Sequence, residues 1–209
     1  MTKQELYSYI DYTALKAFTS KEDIDKLCMD ALTYKTASVC IPSCYISYAH
    51  EKFPELNLCT VVGFPLGYAN TSAKIAETKQ ALLDGANEID MVINITDVKN
   101  KNYDKVEKEI SSLKNVCGEK ILKVIIETCY LTEEEKIAMC KAVTNAKADF
   151  IKTSTGFGTN GATLEDVILM KKHVGNNVKI KAAGGIRTKE DMEAFIKEGA
   201  SRIGSSSLV

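Results

Sequence analysis

The sequence predicts an α/β fold, a closed (β/α)8 barrel of the TIM type, and three observations carry that expectation. Short apolar, β-branched runs alternate with longer amphipathic stretches at about 25 residues per unit, the cadence of a parallel sheet with crossover helices. Eight such runs fit in the 209 residues, and eight βα units close a barrel, with a doubly wound open sheet as the alternative. No linker, low-complexity tract or internal repeat interrupts them, so residues 1–209 read as one (β/α)8 domain.

The elements follow in order. Residues 1–8 read as a short extra N-terminal helix ahead of the first strand, at 9–15. Thr19 or Ser20 opens a helix at KEDIDKLCMDAL, because an N-cap hydroxyl accepts from a first-turn N–H that has no partner inside the helix. Strands at 37–41 and 58–63 come next, and Thr71 or Ser72 opens AKIAETKQALL, with Gly85 where its C-cap would fall. After strands at 88–94 and 121–128, Thr132 and Glu135 fit a capping box for EEEKIAMCKAV. A strand at 150–155 is followed by LEDVILMKK, opened by Thr163 and closed near Gly175. The last pair of strands, at 179–184 and 202–206, flanks KEDMEAFIKEG, opened by Thr188 and closed at Gly199, and little or no eighth helix remains.

Composition removes several function classes. A net charge of −1, with lysines spread along the chain, gives no polyanion footprint, so nucleic acid is not an expected partner. The first thirty residues hold no apolar leader core, and no stretch reaches the ~18 apolar residues of a membrane span, which reads as cytoplasmic with no membrane partner. The seven cysteines are odd in number, form no CxxC pair and sit partly in apolar runs, as reduced buried thiols do. Cys40 and Cys44 could share one helical face, but no His or acid cluster accompanies them, and ordinary packing is the expectation. With two histidines in helical, charged surroundings, neither a triad nor a zinc site is readily built, so no metal or redox cofactor is expected.

Chemistry in a barrel collects at the C-terminal ends of the strands. Three charges interrupt otherwise apolar strands: Asp90 in EIDMVIN, Lys152 in DFIKTSTGFG and Lys181 in KIKAAGGIR. One such lysine would most often be a solvated strand end or a structural ion pair; two lysines and an aspartate, with glycine-rich turns after both lysines, point to chemistry. A lysine is a poor nucleophile while protonated. Neighbouring strands lie ~5 Å apart, and two ammonium groups ~6 Å apart at an effective dielectric of ~20 repel by about 3 kcal/mol, enough to free one amine. Burial acts in the same direction, and Asp90 would favour the charge of whichever lysine it lies nearer. That division suits imine chemistry. The TGFG turn, Gly184-Gly185 and the serine run at 205–207 offer backbone and hydroxyl donors of the kind that hold a phosphate after strands seven and eight.

These segments resemble the deoxyribose-phosphate aldolases over nearly the whole chain. The resemblance rests on IDYTAL, ASVCIP, VVGFPLG, ANEIDMVIN, KVIIET, DFIKTSTGFGTNGAT, KAAGGIRT and RIGSSS, in that order. It implies a class I lyase of deoxyribonucleoside catabolism that cleaves 2-deoxy-D-ribose 5-phosphate to acetaldehyde and D-glyceraldehyde 3-phosphate. It also implies Lys152 as the Schiff-base lysine, Lys181 as its proton-handling partner and Asp90 as the acid/base residue. Asp11 matches a substrate-hydroxyl contact and Cys40 a cysteine lining the site. Thr155, Gly156, Gly184, Gly185, Ser206 and Ser207 match positions at the phosphate end. The partner implied is a phosphorylated sugar, with a homodimer as the assembly it allows. Two features depart from the pattern: Phe157 stands where some members carry a phosphate-binding lysine, and the tail ending in tyrosine of some members is absent. Rival readings are a transaldolase-like enzyme with another donor, a barrel that senses a sugar phosphate without turnover, and an RNA-binding surface.

Overall fold

The computed structural model describes residues 1–208. Eight parallel strands close a barrel in chain order: β1 (Ile10–Thr13), β2 (Ser38–Ile41), β3 (Leu58–Val62), β4 (Glu88–Val92), β5 (Ile121–Ile125), β6 (Phe150–Lys152), β7 (Lys179–Ala183) and β8 (Arg202–Ser205). All eight expected strands are present, and all but β2, which ends at Ile41 as expected, end earlier than their apolar runs. Thr153, Ser154 and Thr155 show why: they are buried by the loops at the barrel mouth after β6 has ended at Lys152.

The helices are α1 (Lys3–Tyr7), α2 (Lys21–Tyr34), α3 (Ile46–Lys52), α4 (Thr71–Leu83), α5 (Ile95–Lys99), α6 (Tyr103–Cys117), α7 (Glu133–Asn145), α8 (Leu164–His173) and α9 (Lys189–Glu198). Ser20, Thr132, Thr163 and Thr188 each accept a first-turn N–H as expected, and Asp23 and Glu135 complete capping boxes. Thr71 is a correction. It lies inside α4, which Asn70 precedes without a side-chain cap, and its hydroxyl donates to Glu109 on α6 instead. Helices α3, α5 and α6 are unexpected: Tyr45 and Asn102 ahead of α3 and α6 make no side-chain cap bond, while Asn94 caps α5 by accepting from the Thr96 N–H. The short α1 buries Leu6 and sets the Tyr7 ring edge-on to Tyr34 at the end of α2, 5.4 Å between centroids. No helix follows β8 among the described residues, and none of those helices is long and apolar enough to cross a membrane.

Strand side chains alternate between faces with period two. In β4, Ile89 and Met91 join the large apolar core between sheet and helices, and the same holds for Leu122 and Val124 of β5 and Ile180 and Ala182 of β7. The opposite parity of those strands, facing the barrel axis, carries Glu88, Asp90, Lys123 and Lys181. Apolar burial therefore stabilises the outside of the barrel wall, at roughly 25 cal/mol per Å². Its inside carries the charges, beside a small separate apolar cluster of Cys40, Cys59 and Val61.

Candidate active site

The centre of the barrel is a lattice of ions. Asp90 Oδ2 accepts from Lys152 Nζ and from Lys181 Nζ, each at 2.7 Å, while Oδ1 accepts from Lys123 Nζ at 2.8 Å. Below it, Asp11 Oδ2 lies 2.5 Å from Lys181 Nζ and Asp11 Oδ1 takes Arg202 at 2.5 Å and the Ser38 hydroxyl at 2.6 Å. Glu88 closes the layer, pairing with Lys123 at 2.5 Å and Arg202 at 3.2 Å. Strand register supplies this arrangement: Asp90 lies opposite Lys123, and Lys152 opposite Lys181. Gly204 on β8 leaves room for it, since a Cβ there would come within 3.3 Å of the Lys181 stem.

Burial by itself would push these carboxyls toward the neutral acid and the ammonium groups toward the free amine. Around Asp90 that penalty is outweighed by Lys123, Lys152 and Lys181, which hold its carboxyl well below the usual range. Asp11 is lowered in the same way by Lys123, Lys181 and Arg202. Burial works against the charge of Lys123 and Lys181 too, but Asp11 and Asp90 reverse it and raise both. The geometry thus differs from two lysines simply repelling each other. One carboxylate oxygen stands between them and bonds both.

A cavity of about 600 Å³ opens above the lattice at the C-terminal ends of the strands. Lys152, 4% exposed, is the lattice ammonium that reaches its lining. One wall is the β1–α2 loop, and the other is built by the turns after β6, β7 and β8, including Gly156, Gly185 and Ser206. Gly185 adopts φ +79 and a side chain there would meet nothing within 4 Å, so backbone and not side chain faces that space. The turn after β7 is braced by the loop after β6: Ala162 N donates to Gly184 O at 3.1 Å, and a Cβ on Gly161 would fall 2.1 Å from that oxygen. Glu127, buried and left-handed at φ +51, anchors the same loop through the Thr155 N–H at 3.0 Å and the Thr155 hydroxyl.

Of the residues singled out in the sequence, Asp90, Lys152 and Lys181 meet in the lattice, while Thr155, Gly156, Gly184, Gly185 and Ser206 line the cavity. Three depart from expectation. Asp11 is fully buried beneath Lys181 and is a support for that ammonium, not a group at the cavity surface. Cys40 is likewise buried off the lining, its thiol lowered by a hydrogen bond with Cys59. Ser207 donates its N–H to Ser205 Oγ and shapes the turn without lining the cavity. Cys44 is exposed in the helical turn after β2, so it shares no face with Cys40. Sulfur and oxygen atoms of Cys40, Cys59 and Asp90 do gather within 4.8 Å, as metal ligands would, but both Asp90 oxygens already serve ammonium groups. Lys123, Glu88, Arg202 and Glu127 escaped sequence reasoning. A signal existed for the first three: each is a charge in an apolar strand.

A family model described as DeoC/LacD family aldolase matches residues 8–208. A deoxyribose-phosphate aldolase of Clostridium botulinum (strain Alaska E43 / Type E3) is 66% identical, covering 100% of this chain and 95% of that one. Among solved structures, QR15, an aldolase, superposes with a TM-score of 0.94 at 39% identity over 97% of this chain and 92% of that one. The deoxyribose phosphate aldolase of Aeropyrum pernix, solved as a tetramer, gives 0.90 at 30% identity over 99% of this chain and 89% of that one.

Proposed function

The chain belongs to the DeoC/LacD aldolase family, and from that premise we propose that it cleaves 2-deoxy-D-ribose 5-phosphate reversibly to acetaldehyde and D-glyceraldehyde 3-phosphate through a Schiff base on Lys152. The observation that carries this reading is the position of Lys152. It is the one member of the Asp90 lattice on the cavity lining, so an amine held at a fixed point meets incoming carbonyl carbon.

The Lys152 amine attacks C1 of the open-chain aldehyde, and loss of water from the carbinolamine leaves an iminium. Asp90, acting through Lys181 or a bridging water, takes the proton of the C3 hydroxyl. The C2–C3 bond breaks, its electron pair passes into the iminium, and glyceraldehyde 3-phosphate departs from an enamine on Lys152. Protonation at C2 and hydrolysis free acetaldehyde. Because three lysines hold Asp90 as the anion, it serves as a relay, passing each proton on as it is received. Acid–base help of this kind contributes typically 10²–10⁴-fold. Thr155, Gly156, Gly184, Gly185 and Ser206 supply the phosphate end. Such a lyase would serve breakdown of deoxyribonucleosides.

Borohydride reduction during incubation with acetaldehyde, followed by intact mass and peptide mapping, tests the reading. A two-carbon adduct on Lys152, absent from Lys152→Ala, is the expected result, and Lys152→Ala should lose at least ~10³-fold in cleavage rate. Near-normal turnover by Lys152→Ala, or an adduct on another lysine, overturns it.

A further inference from the structure

The β1–α2 side of the cavity carries charge that the chemistry above leaves unused. Lys16, Lys26 and Arg187 line the cavity together with Lys152, and Asp23 is the single acid on its described lining. Asp23 is committed to the capping box of α2, its carboxylate accepting the Ser20 N–H at 2.9 Å and its own N–H bonding the Ser20 hydroxyl. The ion pairs among the described residues use none of the three cations. On the opposite side Phe157, 54% exposed, sets its ring edge-on to Phe64, 5.3 Å between centroids, and brings no charge to the turn after β6.

Closure of the barrel decides where these lysines stand. β1 is the neighbour of β8, with Asp11 opposite Gly204 and Tyr12 opposite Ser205, so the loop leaving β1 at Thr13 rises beside the Gly204–Ser206 turn. A phosphate monoester carries about −1.5 to −2 charges at neutral pH. Backbone N–H groups of Gly185 and the serine turn offer it dipoles, and full compensation needs cations within a few ångströms.

We propose that Lys16 and Lys26, which line the same cavity as Arg187 and the Gly184-Gly185 turn, form the cationic half of the phosphate subsite and set the preference for a phosphorylated over an uncharged sugar. The inference rests on the aldolase reading above. It makes the β1–α2 wall, and not the loop after β6, the source of the charge that Phe157 lacks.

The test compares Lys16→Gln, Lys26→Gln and the double variant with the wild type on 2-deoxyribose 5-phosphate and on unphosphorylated 2-deoxyribose. The ratio of kcat/KM for the two sugars should fall about three- to fivefold for each single variant and roughly tenfold or more for the double. The loss should sit in KM rather than kcat, and Lys16→Arg should restore the ratio. Inhibition by inorganic phosphate should weaken in parallel, a readout independent of the sugar's chemistry. Equal losses on both sugars, or no change in either, would overturn the proposal while leaving the imine chemistry standing. A wild type that cleaves neither sugar and forms no trapped adduct overturns both readings together.

Discussion

Two buried lysines, Lys74 and Lys181, are both fully enclosed, and they illustrate what separates an isolated ion pair from a shared lattice that reaches a cavity. Lys74 on α4 donates to Glu109 on α6 at 2.8 Å and to the Val92 carbonyl at 2.8 Å. It has one counter-charge in contact, and burial outweighs Glu109, so its ammonium is lowered. Lys181 is held between Asp11 and Asp90, which outweigh burial and raise it. The pair between the helices joins two elements and faces nothing. The lattice shares each carboxylate among several cations, and through Lys152 it opens on a cavity. In the proposed reaction, sharing, together with one member on the cavity lining, would let a proton move without stranding a buried charge.

Asp90→Asn should break that distinction most severely. An amide cannot neutralise Lys123, Lys152 and Lys181, so kcat for sugar-phosphate cleavage should fall 10²–10⁴-fold, with a stability loss of about 3–5 kcal/mol from the uncompensated ammonium groups. Steady-state kinetics and denaturant unfolding measure both. A variant that kept its rate would remove Asp90 from the relay.

Lys74→Met should separate the regions in the other direction. Glu109 is left buried without its cation, and the protein should lose about 3 kcal/mol in urea unfolding. Turnover per folded molecule should stay within roughly twofold, because neither residue reaches the cavity lining. A fall in kcat that matched the stability loss would show the two regions to be coupled.

Sequence reasoning reached the two regions unequally. The eight strands and four of the helix caps were legible because each rests on a local rule: a short apolar run, or a hydroxyl three residues ahead of its N–H partner. Asp90, Lys152 and Lys181 stood out as charges in apolar strands. Lys123 in ILKVI is the same signal, and Glu88 lies two residues before Asp90 on the same face, so period-two parity applied to every strand would have found both. What parity cannot give is depth along the barrel axis. That depth depends on the stagger between strands, and it decides that Asp11 lies beneath Lys181 while Lys152 reaches the cavity. The Lys74–Glu109 pair joins helices thirty-five positions apart and left no local trace. Glu127 was hidden for another reason: its role follows from a left-handed backbone at a strand end, which no glycine announced.

The smallest expected effect concerns alkaline stability, where the two lysines should act with opposite sign. Lys74 has a folded value below its ordinary 10.5, so just below that pH the unfolded chain holds a proton that the folded protein has released. The unfolded state then binds more protons, and this residue's contribution to stability rises with pH toward 10.5. Lys181 has a folded value above 10.5, so its stabilisation is complete below that pH and is lost only as pH climbs beyond it toward the folded value. Thermal melting of wild type and Lys74→Met between about pH 9 and 10.5 isolates the first of these. The gap in Tm should widen steadily as pH rises across that window. A gap that narrowed with rising pH would mean that Glu109 holds Lys74 charged as firmly as the lattice holds Lys181, and sharing would no longer mark the difference between the two regions.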